Sequence, residues 1–284
     1  MRQVRDDTAR ERDDAARERR ATSRRRGRVP AALLIPAGLG LLFLVLPLVG
    51  LVIRAPWTTL PQRLTEPGAL TALRLSVQTA TLATALCLLL GVPLAWLLAR
   101  VEFPGRRLVR ALVTVPLVLP PVVGGVALLL VFGRRGLLGG WLDSTFGITL
   151  PFTTTGVVLA EAFVAMPFLV IAVEGALRAA DHRYEEAAAT LGASRWTAFT
   201  HVTLPLVAPG LAAGAVLCWA RALGEFGATI TFAGNYPGRT QTMPLAVYLA
   251  LETDLESAIV LSLVLLVVSV GILVALRDRW MSTA

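Results

Sequence analysis

The side chains with chemistry to offer fall in two places. Residues 184–205 read YEEAAATLGASRWTAFTHVTLP: Glu185 and Glu186 open a helix-forming stretch, Gly192 interrupts it, and a second amphipathic stretch ends at Pro205. The pattern predicts a helix, a glycine turn and a second helix. A short helix of this kind fits a groove on a partner protein or lies on a lipid surface. Its glutamates suit the positive end of a helix dipole or a partner's arginine. The second place is Arg221 and Glu225, four residues apart in an apolar run, where they share a helix face and can neutralise each other. Ionisable residues in such surroundings cost a few kcal/mol. The pair either fixes helix packing or marks a path for a charged substrate, with Arg221 attracting an anion and Glu225 tethering Arg221. Thr229 and Thr231, then Thr240 and Thr242, add hydroxyls suited to oxyanion oxygens. Glu161 and Glu174 also lie in an apolar run; Glu174 has Arg178 four residues on, and Glu161 has no sequence-local partner.

No catalytic constellation accompanies these residues. The sequence has no G-x-x-x-x-G-K-[ST] phosphate loop, no H-E-x-x-H and no His/Cys cluster with metal spacing. No catalytic residue, metal or cofactor is expected on this chain. Cys87 and Cys218 sit singly in apolar runs and read as buried thiols. His182 and His201 read as contacts at an interface or to headgroups.

Composition sets what must position these groups. The chain has 284 residues, 55% hydrophobic and 16% charged, with mean hydropathy +0.68. Soluble domains carry about 25% charge, and 17 of the 46 charges here lie in the first 30 residues. An ordinary soluble enzyme is thereby excluded. A net charge of +8, all of it from arginine among the basic residues, would suggest nucleic acid in a hydrophilic chain; in this apolar one no nucleic-acid partner is expected.

Six apolar stretches, at 31–53, 71–99, 108–132, 154–177, 207–232 and 256–276, are each long enough to cross a bilayer as a helix. They are continuous runs and not alternating segments, which favours a helical bundle over a barrel. The expected fold is an all-α membrane protein of six transmembrane helices, kinked at Pro36, Pro47, Pro93, Pro116, Pro120, Pro121 and Pro167, with Gly124, Gly125 and Gly214 allowing close approach. Residues 1–30 form a charged cytoplasmic tail too polar to bury a core. Residues 31–70 hold the first span and its outer loop, 71–276 the core with the patterned loop at 178–206, and 277–284 the C-terminal end. With the N-terminus inside, 20 arginines face the cytoplasm and 6 the other side, or 9 against 6 without the tail. The arginine bias places both termini and the 178–206 loop in the cytoplasm.

The loop resembles a known family. Permeases of bacterial binding-protein-dependent ABC transporters carry E-A-A, three residues, G, nine residues, I, one residue and L-P in a cytoplasmic loop. Glu186, Ala187, Ala188, Gly192, Val202, Leu204 and Pro205 match that spacing, with Val202 standing for Ile. The resemblance implies a type I importer permease whose coupling helix docks on a separate ATPase subunit, which binds ATP and magnesium. It also implies a second permease copy, forming a homodimer, and an extracytoplasmic molybdate-binding protein. Within the family, GEFGAT at 224–229 and the outer-loop residues Pro237, Gly238, Thr240, Thr242 and Pro244 are similar to molybdate-transport permeases, as is PLVLPPVVGG at 116–125. The implied function is import of molybdate across the bacterial cell membrane. Sulfate, thiosulfate and tungstate permeases are the alternatives within the family; an ATP-independent channel or carrier and a membrane-embedded enzyme are those outside it.

Overall fold

The computed structural model describes residues 31–181 and 183–281. The expected tail at 1–30, His182 and residues 282–284 lie outside the described residues. Every regular element among the described residues is helical. The chain divides after Arg54 into two units. The first contains α1 (Ala31–Ile53), 23 residues with Pro36 and Pro47 inside it. At 1.5 Å per residue such a helix crosses a hydrocarbon layer of about 30 Å.

In the second unit α2 (Leu60–Leu64) leads to α3 (Pro67–Arg100), α4 (Arg106–Val118), α5 (Pro121–Phe132) and α6 (Gly139–Phe146). There follow α7 (Thr154–Ala179), α8 (Arg183–Thr190), α9 (Arg195–Ala198), a π-helical turn (Phe199–Thr203) and α10 (Leu204–Leu223). The unit closes with α11 (Gly227–Phe232), α12 (Met243–Thr253) and α13 (Leu255–Met281).

At the centre of this unit is α7, packed on α3, α10, α5, α11 and α4. Thr153 starts it by accepting a hydrogen bond from the Gly156 N–H, which satisfies one of the donors a helix start leaves open. Its buried Gly156, Ala160, Ala162 and Ala165 keep the helix surface low. Neighbouring backbones can therefore approach closely, which is how helices associate when lipid offers no hydrophobic contrast. The main core joins Ala83 and Leu98 of α3, Leu169 and Val173 of α7, and Ala222 and Leu223 of α10. Cys87 and Cys218 are free and buried in it.

Two expected spans differ in detail. The stretch at 108–132 is two helices, α4 and α5, bent by 118°. Single prolines at 93, 116 and 167 remain inside continuous helices. Pro120 and Pro121 are consecutive, remove two N–H donors and hold Leu119 and Pro120 extended, with ψ of 130° and 132°. The stretch at 207–232 likewise stops at Leu223 and resumes as α11 after Gly224–Phe226. Among the described residues five helices are long and apolar enough to span, and the bent pair, taken as one span, makes a sixth. The expected loops at 54–70, 133–153 and 233–255 contain α2, α6 and α12. The longest, α12, has 11 residues, only about half of what a crossing needs.

Candidate functional site

The patterned loop folds as its sequence suggests in its first half. Glu185 and Glu186 lie in the first turn of α8. The helix ends in a reverse turn in which Gly192 N–H donates to the Ala189 carbonyl and Ala193 N–H to the Ala188 carbonyl, both at 3.0 Å. This paired closure needs a left-handed residue, and Gly192 supplies it with φ of +84°. Ser194 then caps α9 by accepting from the Thr197 N–H at 3.1 Å.

The second half differs from expectation. It does not end at Pro205 but runs through the π-helical turn into α10, so that Arg195–Leu223 is one helical path of 29 residues. In the widened turn the Leu204 N–H reaches the Phe199 carbonyl. Pro205 follows in the first turn of α10, where a missing N–H costs little. Of the motif residues, Glu186, Ala187, Gly192 and Pro205 are exposed, while Ala188, Val202 and Leu204 are half-buried. Beside them Leu191 is 89% and Trp196 73% exposed, an apolar prominence at one end of the bundle.

The loop is also tied inward. Thr203 Oγ1 donates to Glu185 Oε1 at 2.9 Å, and Arg100 Nη2 at the end of α3 lies 3.1 Å from the same oxygen. At the same end Glu174 Oε1 is held by Arg110 at 2.7 Å and by Arg178 at 2.8 Å. Arg178 was expected from spacing; Arg110, on α4, was not.

The second candidate group surrounds the break after α10. Arg221 Nη2 lies 2.6 Å from Glu225 Oε2, as an ion pair without hydrogen-bond alignment. Glu225 is 1% exposed, and its Oε1 accepts from the Ala228 N–H at 2.8 Å. The carboxylate thus neutralises Arg221 and starts α11 together. Thr229 is buried with no partner for its hydroxyl. Thr231 is half-buried and donates to the Gly227 carbonyl at 2.8 Å. The break packs on the proline break of α4 and α5. A Cβ on Gly125 would lie 2.7 Å from Thr231 Cβ, and one on Gly227 2.9 Å from Pro121 Cβ.

Glu161, 1% exposed, accepts a hydrogen bond from Thr79 at 2.9 Å through one oxygen. Thr240 accepts from the Tyr236 N–H at 2.8 Å, and the buried Thr242 hydroxyl has no partner. A cavity of about 260 Å³ opens near Arg63, Gln241, Asp254 and Ser257; none of Arg221, Glu225, Thr229 or Thr231 lines it. There Arg63 binds Asp254, with Glu256 at 2.7 Å. The Ser257 hydroxyl, then Arg63, hold the Asp254 carboxyl down to about 2. His201 Nδ1 is 2.8 Å from the Thr200 hydroxyl.

Sequence reasoning missed Arg100, Thr203, Thr79 and Arg110. The available signal was side rather than spacing: the arginine bias puts Arg100, Arg110 and the 178–206 loop at one membrane face, where Glu174 and Glu185 need cations.

A model of the family described as binding-protein-dependent transport system inner membrane component matches residues 91–283. The chain is similar to the molybdenum transport system permease protein ModB of Mycobacterium tuberculosis, 49% identical over 251 residues, covering 88% of this chain and 95% of the relative. It is similar to the sulfate transport system permease protein CysT of Escherichia coli, 37% identical over 240 residues, covering 83% of this chain and 86% of the relative. In fold it is similar to a chain in the crystal structure of a bacterial ABC transporter involved in the import of the acidic polysaccharide alginate, with TM-score 0.72 at 18% identity, covering 89% and 94% of the two chains.

Proposed function

The chain belongs to the binding-protein-dependent transport system inner membrane component family, and we propose that it is the multi-pass permease subunit of an ATP-driven importer of molybdate. The observation that carries this reading is the 49% identity to a molybdenum permease over 95% of that relative's length, against 37% to a sulfate permease. The spacing of the family motif is intact beside it, with Val202 as its one departure and Gly192 in the left-handed turn.

In this reading the protein sits in the bacterial cell membrane with both termini and the α8–α9 loop in the cytoplasm. Glu186, Ala187, Ala188, Gly192, Val202, Leu204 and Pro205 form the element that docks on a separate ATPase subunit, which holds ATP and magnesium. Leu191 and Trp196 supply exposed apolar surface for such a contact. A second copy of the chain completes the pore, and an extracytoplasmic binding protein delivers the anion. Closure of the ATPase pair moves the loops, and the bundles switch access from one side to the other.

Arg221, half-buried, attracts the tetrahedral dianion, while Glu225 holds the guanidinium in place and Thr229 and Thr231 offer hydroxyls. A buried Glu225 without Arg221 would repel the anion, so the pair acts together. Chemistry on the substrate has no part in this; the chain's contribution is binding, gating and coupling.

The test is ATP-driven uptake of labelled molybdate into vesicles holding this chain with its ATPase and binding protein, in the presence of excess sulfate. Uptake that resists sulfate is expected. Uptake erased by sulfate would move the chain to the sulfate branch, and uptake independent of ATP would refute the importer.

A further inference from the structure

We propose that Glu185 is the positioning residue that carries movement of the coupling loop into the bundle, a role that rests on the importer reading above. Glu186 beside it is exposed and faces outward. Glu185 turns inward, and its Oε1 joins three elements at once: α8, which carries it; the π-helical turn, through Thr203 Oγ1 at 2.9 Å; and α3, through Arg100 Nη2 at 3.1 Å. Arg100 also donates to the Ala180 carbonyl, just past α7, at 3.4 Å. The carboxylate therefore ties the loop to α3 and to the foot of α10, and Arg100 extends the link to the end of α7, so that the three helices of the main core meet at this pair.

Two features make the tie stiff. The Arg100 side chain is only 6% exposed, so separating it from Glu185 would leave a charge in poor solvent, which is strongly unfavourable. An aromatic contact runs alongside: Trp96 of α3 meets Phe199 of the π-helical turn edge-on at 6.4 Å. The coupling loop is thus held to α3 at both its halves, by an ion pair at α8 and by ring packing at the widened turn. Helices bend at such turns, so a push on α8 is delivered to α3 and to the foot of α10 together.

The experiment uses the reconstituted complex of this chain, its ATPase and its binding protein, and reads molybdate imported per ATP hydrolysed. Glu185→Gln removes the charge and keeps the shape; Thr203→Val removes the hydroxyl alone. Each is expected to lower the ratio by about fivefold or more, the lower range of coupling between linked sites. Exchanging the pair, Arg100→Glu with Glu185→Arg, is expected to recover part of what Glu185→Arg alone loses. A merely structural role would lower the amount of assembled complex and leave the ratio at the wild-type value, and that result in both single variants overturns the proposal. Import by the wild-type complex without ATP would overturn the importer reading itself, which separates the two failures.

Discussion

Replacing Gly192 isolates what the turn in the coupling loop contributes. At φ of +84°, a Cβ built on this residue meets no heavy atom within 4 Å. A substitution is therefore opposed by backbone strain and not by collision. That strain is about 1–2 kcal/mol for a residue with a Cβ. It works against the two hydrogen bonds that close the turn, from Gly192 and Ala193, each worth about 1 kcal/mol. The opposing quantities nearly match, so Gly192→Ala should disfavour the native turn by about five- to thirtyfold while the bundle stays folded. Asn enters the left-handed region more readily than Ala, and a β-branched residue less readily. The expected order of uptake is Gly, Asn, Ala, Val, measured as ATP-driven import of labelled molybdate normalised to the chain present in the membrane. If Asn is worse than Ala, uptake follows side-chain volume and the strain argument is refuted.

Arg221→Ala and Glu225→Ala should each impair uptake, and the double variant should lose less than the sum, because the ion pair at 2.6 Å couples them; strict additivity in the same assay would count against pairing. Thr229→Val keeps the shape of a buried residue and removes an unpartnered hydroxyl, so thermal stability should hold or rise while uptake falls; unchanged uptake would remove Thr229 from the path. Gly125→Val drives a side chain into Thr231 and the Ala228 carbonyl, and overpacking of about 1–3 kcal/mol should appear as a lower melting temperature in detergent, an unchanged value being the contrary result. Asp254, held at about 2, has a depressed pKa. Its contribution is complete above the unfolded value of about 3.9 and disappears as pH falls toward 2. Hydrogen exchange at the start of α13 should therefore be flat from pH 8 to 5 after correction for intrinsic rates, and an opening near pH 6 would contradict it.

The spans were legible because continuous apolar runs report burial in lipid directly, and the coupling loop because its motif fixes a turn that only a left-handed residue closes. The breaks were harder to read. Of the seven prolines in expected spans, only the adjacent pair falls at a break, where two consecutive N–H donors are lost and the residue before each proline is held extended; the second break, at Gly224–Phe226, has no proline to announce it. Residue type alone does not reveal that Glu225 would leave the helix to cap α11. The partners of Glu161 and Glu185 were out of reach for a different reason. Thr79 and Arg100 are 82 and 85 positions away in the chain, and no local spacing rule connects them. α12 lies in a stretch, 233–255, read as a loop between spans; its eleven residues are too few to cross a bilayer but suffice for a short apolar helix packed against α13.

The widened turn at Phe199–Thr203 bears on how contact with a partner is aimed. It holds one residue more than an α-helical turn, and each α-helical residue corresponds to a rotation of about 100°. That single extra residue sets the azimuth at which Leu191 and Trp196 stand out from the axis of α10. Pro205, without an N–H, cannot make the α-type bond back to the His201 carbonyl. If the face docks as proposed, its aim is written as an insertion in a helix and not in the side chains it presents. Shortening 199–203 by one residue would swing that face about 100° round the axis with every side chain on it intact.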